Sequence, residues 1–172
     1  MSAFVRNIHE RELDAPPARV GELLDSLASQ DDALWPHHLC PRMRFDRPLG
    51  VGAHGGHGPI RYVVEEYAPG ESVTFRFVGP RGFDGFHRFD RISTSAGKVA
   101  LRHTLEMTTR GRALLSWPLV FRPLHDALIE DAFAAAEAAL GREPRIRPWS
   151  WRVRLLRAIL AAVSSATSPS RR

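Results

Sequence analysis

Between Phe83 and Met107 apolar and polar positions alternate with a period of two on both sides of a short polar segment. Phe83, Gly85, His87, Phe89 and Arg91 fall on one side of the first arm, against Asp84, Phe86, Arg88, Asp90 and Ile92 on the other. In the second arm Val99, Leu101, His103, Leu105 and Met107 alternate with Ala100, Arg102, Thr104, Glu106 and Thr108. This pattern predicts two strands, each with one apolar and one wet face. The intervening Ser93-Thr94-Ser95-Ala96-Gly97 has the small and polar residues of a hairpin loop. A loop centred on Ser95 pairs Phe89 with Leu101 and His87 with His103. Two imidazoles then stand side by side on an otherwise apolar face.

The same reasoning extends along the chain. Phe4 to Leu13 reads as a first strand. Asp14 and the two prolines after it open a helix, with Asp14 as its cap and Val20, Leu23, Leu24 and Leu27 on one face. A second short helix or turn carries Leu34 and Trp35 to Pro36. Met43 to Leu49 is a further strand candidate, and the glycine-rich Gly50 to Gly58 reads as a loop or bulged turn. Pro59 to Tyr67 and Val73 to Val78 are strands separated by the tight turn Ala68-Pro69-Gly70-Glu71. After Gly111 the period changes to 3.6. Leu114, Pro118, Phe121, His125, Leu128, Ile129, Ala132 and Ala136 form one stripe, which Leu115, Leu119, Leu124 and Leu140 widen. Pro118 and Pro123 should disturb the first half, and Gly141 is the expected C-cap. Residues 142–148 read as a linker, Trp149 to Val163 as an amphipathic helix, and Ser164 to Arg172 as a disordered tail.

The chain has 172 residues, 44% hydrophobic and 25% charged, which suits one globular domain with a short extension. The domain is expected to span 1–141 and the basic appendage 142–172. The net charge is +5, but residues 142–172 hold eight arginines against one acid, Glu143. The remainder is near neutral, so nucleic acid is not an expected partner of the domain. Cys40 is the sole cysteine, which fits a reducing compartment, and the first residues have no apolar core of a signal peptide. A cytoplasmic location, with the option of peripheral membrane contact, is the expectation.

Several stretches together carry a resemblance. They are the opening ELDAPPARVGELL, Trp35-Pro36, a glycine-containing hairpin before Tyr62, the segment VEEYAPGESVTFRF, and the long helical stripe up to Gly141. In this order the chain resembles the START/birch-pollen-allergen-like superfamily (SRPBCC), and within it the bacterial polyketide cyclase/dehydrase type. The resemblance covers roughly Val5 to Gly141. It implies an α+β helix-grip fold: a curved antiparallel sheet of six or seven strands around a long C-terminal helix, with two short helices after the first strand. It also implies a cavity between sheet and helix for a lipid, polyketide or other apolar molecule. The family has no invariant catalytic residues to carry over.

The candidate ligand-binding residues are Tyr62, Val64, Phe75, Phe77, Phe89, Leu101, Leu105, Met107, Phe121 and His125. Large apolar walls with a few polar groups suit an apolar ligand. His87 and His103 are the candidate acid/base pair, since a neutral imidazole accepts or donates a proton near neutral pH. Buried histidines bonded to backbone would explain them equally well. His37, His38 and Cys40, with His54 and His57, supply nitrogen and sulfur donors, but in no standard zinc spacing and on segments that read as loops. No metal and no cofactor is expected. Glu65 and Glu66 alternate in direction, so one would point inward and need Arg61 or a histidine as partner; an outward ion pair with Arg76 on the next strand is the simpler reading. Gly55-Gly56 opens no phosphate-binding helix, and neither Ser116 nor Ser150 has the context of a nucleophile. Three functions stay open: binding a hydrophobic small molecule; a polyketide cyclase or dehydratase reaction by His87 and His103; and lipid carriage by a protein docking on membranes through Trp149–Val163. That helix is expected first of all to pack on the domain or on a second subunit; RNA binding is a third option, for which its apolar arc is broader than needed.

Overall fold

The computed structural model describes residues 1–94 and 98–167, with side chains up to residue 162. The predicted loop centre at Ser95 and the tail from 168 onward lie outside the described residues. Seven strands form one curved antiparallel sheet: β1 (Ser2–Leu13), β2 (Arg44–Phe45), β3 (His54–His57), β4 (Ile60–Ala68), β5 (Ser72–Gly79), β6 (Phe83–Ser93) and β7 (Val99–Arg110). Their order is β1-β7-β6-β5-β4-β3-β2, so the first strand pairs with the last. Helix α1 (Pro17–Asp25) follows β1. A helical run from 113 to 139 packs on the concave face, made of α2 (Ala113–Ser116), a π-helical turn (Trp117–Phe121) and α3 (Arg122–Ala139). Helix α4 (Trp151–Thr167) packs against α3. This is the helix-grip α+β architecture.

The alternation read from the sequence sets the faces. Tyr62, Val64, Val73, Phe75, Phe89, Leu101, Leu105 and Met107 are buried beneath the helical run, where Ile129, Ala132, Phe133 and Ala136 meet them. Gly21 allows α1 to sit on the β4–β5 turn, because a Cβ there would lie 2.7 Å from the Gly70 carbonyl oxygen. The Asp25 carboxylate fixes the contact by accepting from the Gly70 amide and the Tyr67 hydroxyl, each at 2.8 Å.

The structure corrects several expectations. The β6–β7 hairpin is shifted by two residues: Phe89 faces His103, His87 faces Leu105 and Arg91 faces Leu101. Its loop is closed by the Thr94 amide on the Lys98 carbonyl at 2.7 Å, which centres it one residue later than Ser95. An even shift keeps every side chain on its predicted face. A series of turns replaces the second short helix. The Asp32 carboxylate takes the amides of Ala28, Leu34 and Trp35, which draws these groups away from helical bonding. Asp14 is not the cap of α1; Pro16 occupies that position and Asp14 pairs with Arg142 at 2.9 Å. His54 to His57 is a strand rather than a loop. A bulge between Val64 and Glu66 turns both glutamates outward, Glu65 meeting Arg76 at 3.0 Å.

The π-helical turn at Trp117–Phe121 includes Pro118, which brings no backbone donor. The wider turn rotates the helix surface, so that Ala113 and Trp117 face inward while Leu115, Pro118 and Leu119 face outward. Gly141, at φ 72°, ends α3 as expected, with its amide on Ala138 and that of Arg142 on Glu137. Residues 142–150 are irregular yet tied to the body. Arg145 binds Glu137 through its amide and side chain at 2.7 and 2.6 Å, and Trp149 Nε1 donates to Asp131 at 3.0 Å. The last helix continues past Val163 to Thr167.

Candidate functional site

A cavity of about 750 Å³ lies between the sheet and the helical run. Strands β4 to β7 supply Ile60, Phe77, Phe83, His87, His103 and Leu105; the helical run supplies Trp117, Phe121, Leu124, His125, Leu128 and Ile129. The segment from His37 to Pro41, with Trp35 and His57, forms a further wall. Helix α4 borders the space through Arg157, Ala158, Leu160 and Ala161. The volume lies within the roughly 300–1,000 Å³ of small-molecule sites.

Of the residues expected to bind ligand, Phe77, Leu105, Phe121 and His125 line this space, as do His87 and His103. Tyr62, Val64, Phe75, Phe89, Leu101 and Met107 do not; they are packed into the solid part of the core. The inward face of the sheet is longer than the cavity, and its remainder is filled by α1 and α3. The sequence reading missed Trp35, Trp117, Leu124 and Leu128 as wall residues. Leu124 and Leu128 were in the helical pattern already, whereas nothing in the periodicity marks Trp35 or Trp117 as facing a void.

His87 and His103 meet on the cavity wall, with His87 Nδ1 3.3 Å from His103 Nε2. They touch across a diagonal of the ladder, because the register is shifted. Phe75 and Phe77 stack on His87 at 4.8 and 5.2 Å, and Phe89 meets His103 edge-on at 4.6 Å. Burial, followed by repulsion from neighbouring imidazoles, holds both well below the ordinary histidine range. The pair is therefore neutral at pH 7. In a neutral pair one imidazole donates to the other. Whichever donates, the two outer nitrogens present one N–H and one lone pair. Those outer atoms, His87 Nε2 and His103 Nδ1, are buried and have no partner among the described residues. Tyr62 Oη is also buried without a partner, and desolvation raises its pKa well above the usual phenol value.

The imidazole series continues outward. His103 lies 5.0 Å from His125, and His125 lies 6.0 Å from His9 on the edge strand. His9 bridges Asp126 and Glu130 of α3, at 3.1 and 3.2 Å. Burial pulls His9 down, but the two carboxylates outweigh it and leave it raised. Next to it Arg11 reaches Glu130 at 2.7 Å and Glu137 at 3.0 Å. This polar seam between β1 and α3 was not anticipated. Its signal was present: Asn7, His9 and Arg11 share the inward parity of β1, and Asp126 and Glu130 are one turn apart on a helix.

The histidines and cysteine of the other group are spread out. His54 is exposed, while His57 sits 4.7 Å from the Trp35 ring and is held down to about 3 by desolvation. The Cys40 thiol donates to the Pro36 carbonyl, and burial pushes it up to about 12. It is a thiol rather than a thiolate at neutral pH, with no catalytic character.

Fold and cavity together define a helix-grip protein with a half-open apolar site between sheet and helix. Among solved structures the chain is similar to norcoclaurine synthase from Thalictrum flavum, with a TM-score of 0.60 and 14% identity over 82% of this chain and 97% of that one. It is also similar to StfQ, a di-domain ARO/CYC from the steffimycin biosynthetic pathway (TM-score 0.58, 13% identity, 80% of this chain and 51% of StfQ). CalU16 from Micromonospora echinospora matches over 99% of this chain and 98% of its own, with a TM-score of 0.54 and 15% identity. At these identities the likeness is one of fold. No family model matches the sequence, and no curated protein matches it. Among the described residues no helix is long and apolar enough to cross a membrane.

Proposed function

We propose that this protein binds one apolar small molecule, of lipid or polyketide type, between the sheet and the 113–139 helix. The observation that carries the reading is a cavity of about 750 Å³ with an apolar wall that includes His87 and His103, whose buried outer nitrogens just behind it have no protein partner among the described residues. Unpartnered polar atoms in an apolar site are costly unless a ligand or water meets them. A ligand with a carbonyl or hydroxyl end would receive a hydrogen bond from one imidazole and donate to, or lie against, the other. Titration with a polarity-sensitive apolar fluorophore tests this. Wild-type protein is expected to saturate at one probe per chain, and Leu105→Arg, which puts an unpaired charge on the wall, to weaken binding at least about tenfold. Equal binding by both proteins would overturn the proposal.

The same neutral pair favours a chemical extension. One N–H and one lone pair side by side can protonate a leaving hydroxyl and remove a carbon-bound proton, the proton movements of a cyclase or dehydratase. StfQ, an ARO/CYC of similar fold, supports that reading.

A docking role is favoured by the outer surface of α4. Trp151, Leu155 and Ile159 recur every fourth residue and are 71%, 52% and 51% exposed. Arg152 and Arg154 flank this row, and Leu115 and Leu119 are exposed on the neighbouring helix, where Arg152 binds the Leu119 carbonyl at 2.9 Å. Apolar residues framed by arginines suit an anionic bilayer surface. Leu155→Glu with Ile159→Glu is expected to reduce co-sedimentation with anionic vesicles several-fold; unchanged co-sedimentation would remove this reading and leave the cavity proposal standing.

A further inference from the structure

Three donor atoms converge where β1 meets α3, beside the cavity. His9 Nε2 stands 3.1 Å from Asp126 Oδ1, and His125 Nδ1 stands 3.5 Å from the same oxygen. One donor atom from each of the three residues lies within 4.8 Å of the other two. Two donors each about 2.0–2.1 Å from a tetrahedral zinc ion stand about 3.3 Å apart. The two measured separations fall on either side of that value.

The surroundings hold these donors in place. His9 Nδ1 is 3.2 Å from Glu130 Oε1, and Arg11 anchors the other oxygen of Glu130 at 2.7 Å. A histidine whose far nitrogen bonds an anchored carboxylate presents its near nitrogen as a lone pair, the arrangement that orients metal-binding histidines. Asn7 Nδ2 donates to Asp126 Oδ1 at 3.0 Å and steadies the third donor. A bridging ion pair accounts for His9 between its two carboxylates. His125 makes only a loose 3.5 Å contact from Nδ1 to the same oxygen, too long for a good hydrogen bond, and its Nε2 is buried without a partner among the described residues.

We propose that His9, His125 and Asp126 form a site for one divalent transition-metal ion of the zinc class, with Glu130 positioning His9. Two imidazoles and a carboxylate suit that class, and three protein ligands leave a fourth position for water or another oxygen donor. His125 also lines the cavity, so the ion would stand at its wall. The proposal is independent of the ligand reading above. It uses none of His37, His38, Cys40 and His57, which line the cavity from other segments.

Titration of chelator-treated full-length protein with Co²⁺, followed by its visible absorption and by competition with Zn²⁺, tests it. The expected result is saturation at one equivalent, with Zn²⁺ displacing Co²⁺ and raising the melting temperature. His9→Gln and Asp126→Asn should lose the saturable signal. Glu130→Gln should retain it with affinity lowered about 10–100-fold. Circular dichroism of each metal-free variant shows whether it is folded, and Cys40→Ser with His38→Ala should bind as wild type does. Absence of saturable uptake by wild type, uptake unchanged in folded His9→Gln, or loss confined to the Cys40/His38 variant would each overturn the proposal.

Discussion

Gly85→Ala is expected to remove a large part of the stability of this fold. Gly85 lies in β6 opposite Met107, in the middle of the sheet. A Cβ at this position would stand 2.1 Å from the Glu106 carbonyl oxygen and 2.4 Å from Met107 Cα. Both are backbone atoms of the neighbouring strand, so no rotamer change relieves the clash and β7 itself has to move. Ordinary overpacking of a core costs about 1–3 kcal/mol. Displacing a central strand belongs at or beyond the top of that range, against a total of about 5–15 kcal/mol for a typical domain. Urea denaturation checks it: the variant should lose about 3 kcal/mol or more, or fail to accumulate in soluble form. Gly50→Ala is the control. Its Cβ would meet nothing nearer than the Pro48 carbonyl oxygen at 3.8 Å, so its midpoint should stay close to wild type.

Stability should also fall as the solution is acidified from neutrality, earlier than carboxylate titration alone would bring about. His87 and His103 are 6% and 1% exposed, and burial holds both well below the ordinary value near 6.5. His87 faces Tyr62, Phe75, Phe77 and His103, with no carboxylate among its hydrogen-bond partners. Below about pH 6.5 the unfolded chain takes up protons on these rings while the folded chain does not. The contribution is therefore complete above that pH and declines as pH falls through it. Each ring removes about 1.4 kcal/mol per pH unit, so the pair removes about 3 kcal/mol per unit. His57 and His125, also depressed, add to the slope and His9, raised, opposes it, so the share of the pair is read from variants: in urea unfolding at a series of pH values His87→Phe should reduce the slope by about one proton. A stability that stays flat between about pH 6.5 and pH 5 would contradict the burial of neutral imidazoles.

Faces were legible in the sequence, and distances along a face were not. Period-two alternation placed Phe77, His87, His103 and Leu105 on the inward side of the sheet. It placed Tyr62, Phe75, Phe89 and Leu101 there as well, and could not say which half of that side is vacated and which is filled by α3. That depends on where Phe133 and Ile129 come to rest, a long-range packing matter. The hairpin register was missed by two residues because five small polar residues leave the loop centre open, yet the parity survived and with it the meeting of the two imidazoles. The π-helical turn escaped because a 3.6-residue stripe assumes uniform winding, and one wide turn exchanged Leu115 and Leu119 for Ala113 and Trp117. The His9–Asp126 contact spans 117 residues. Its elements were each legible, but only their docking shows that the polar side of an edge strand meets the acids of the long helix.

On the proposal made above, the space between the sheet and the long helix holds one apolar molecule against the paired imidazoles. Native mass spectrometry of the protein purified from its own host tests it most directly. A mass excess of one small molecule per chain, released by organic solvent and missing from Leu105→Arg, is the expected result. Wild-type and variant chains that both appear at the bare polypeptide mass, and that both remain so after incubation with the host's lipid extract, would contradict it.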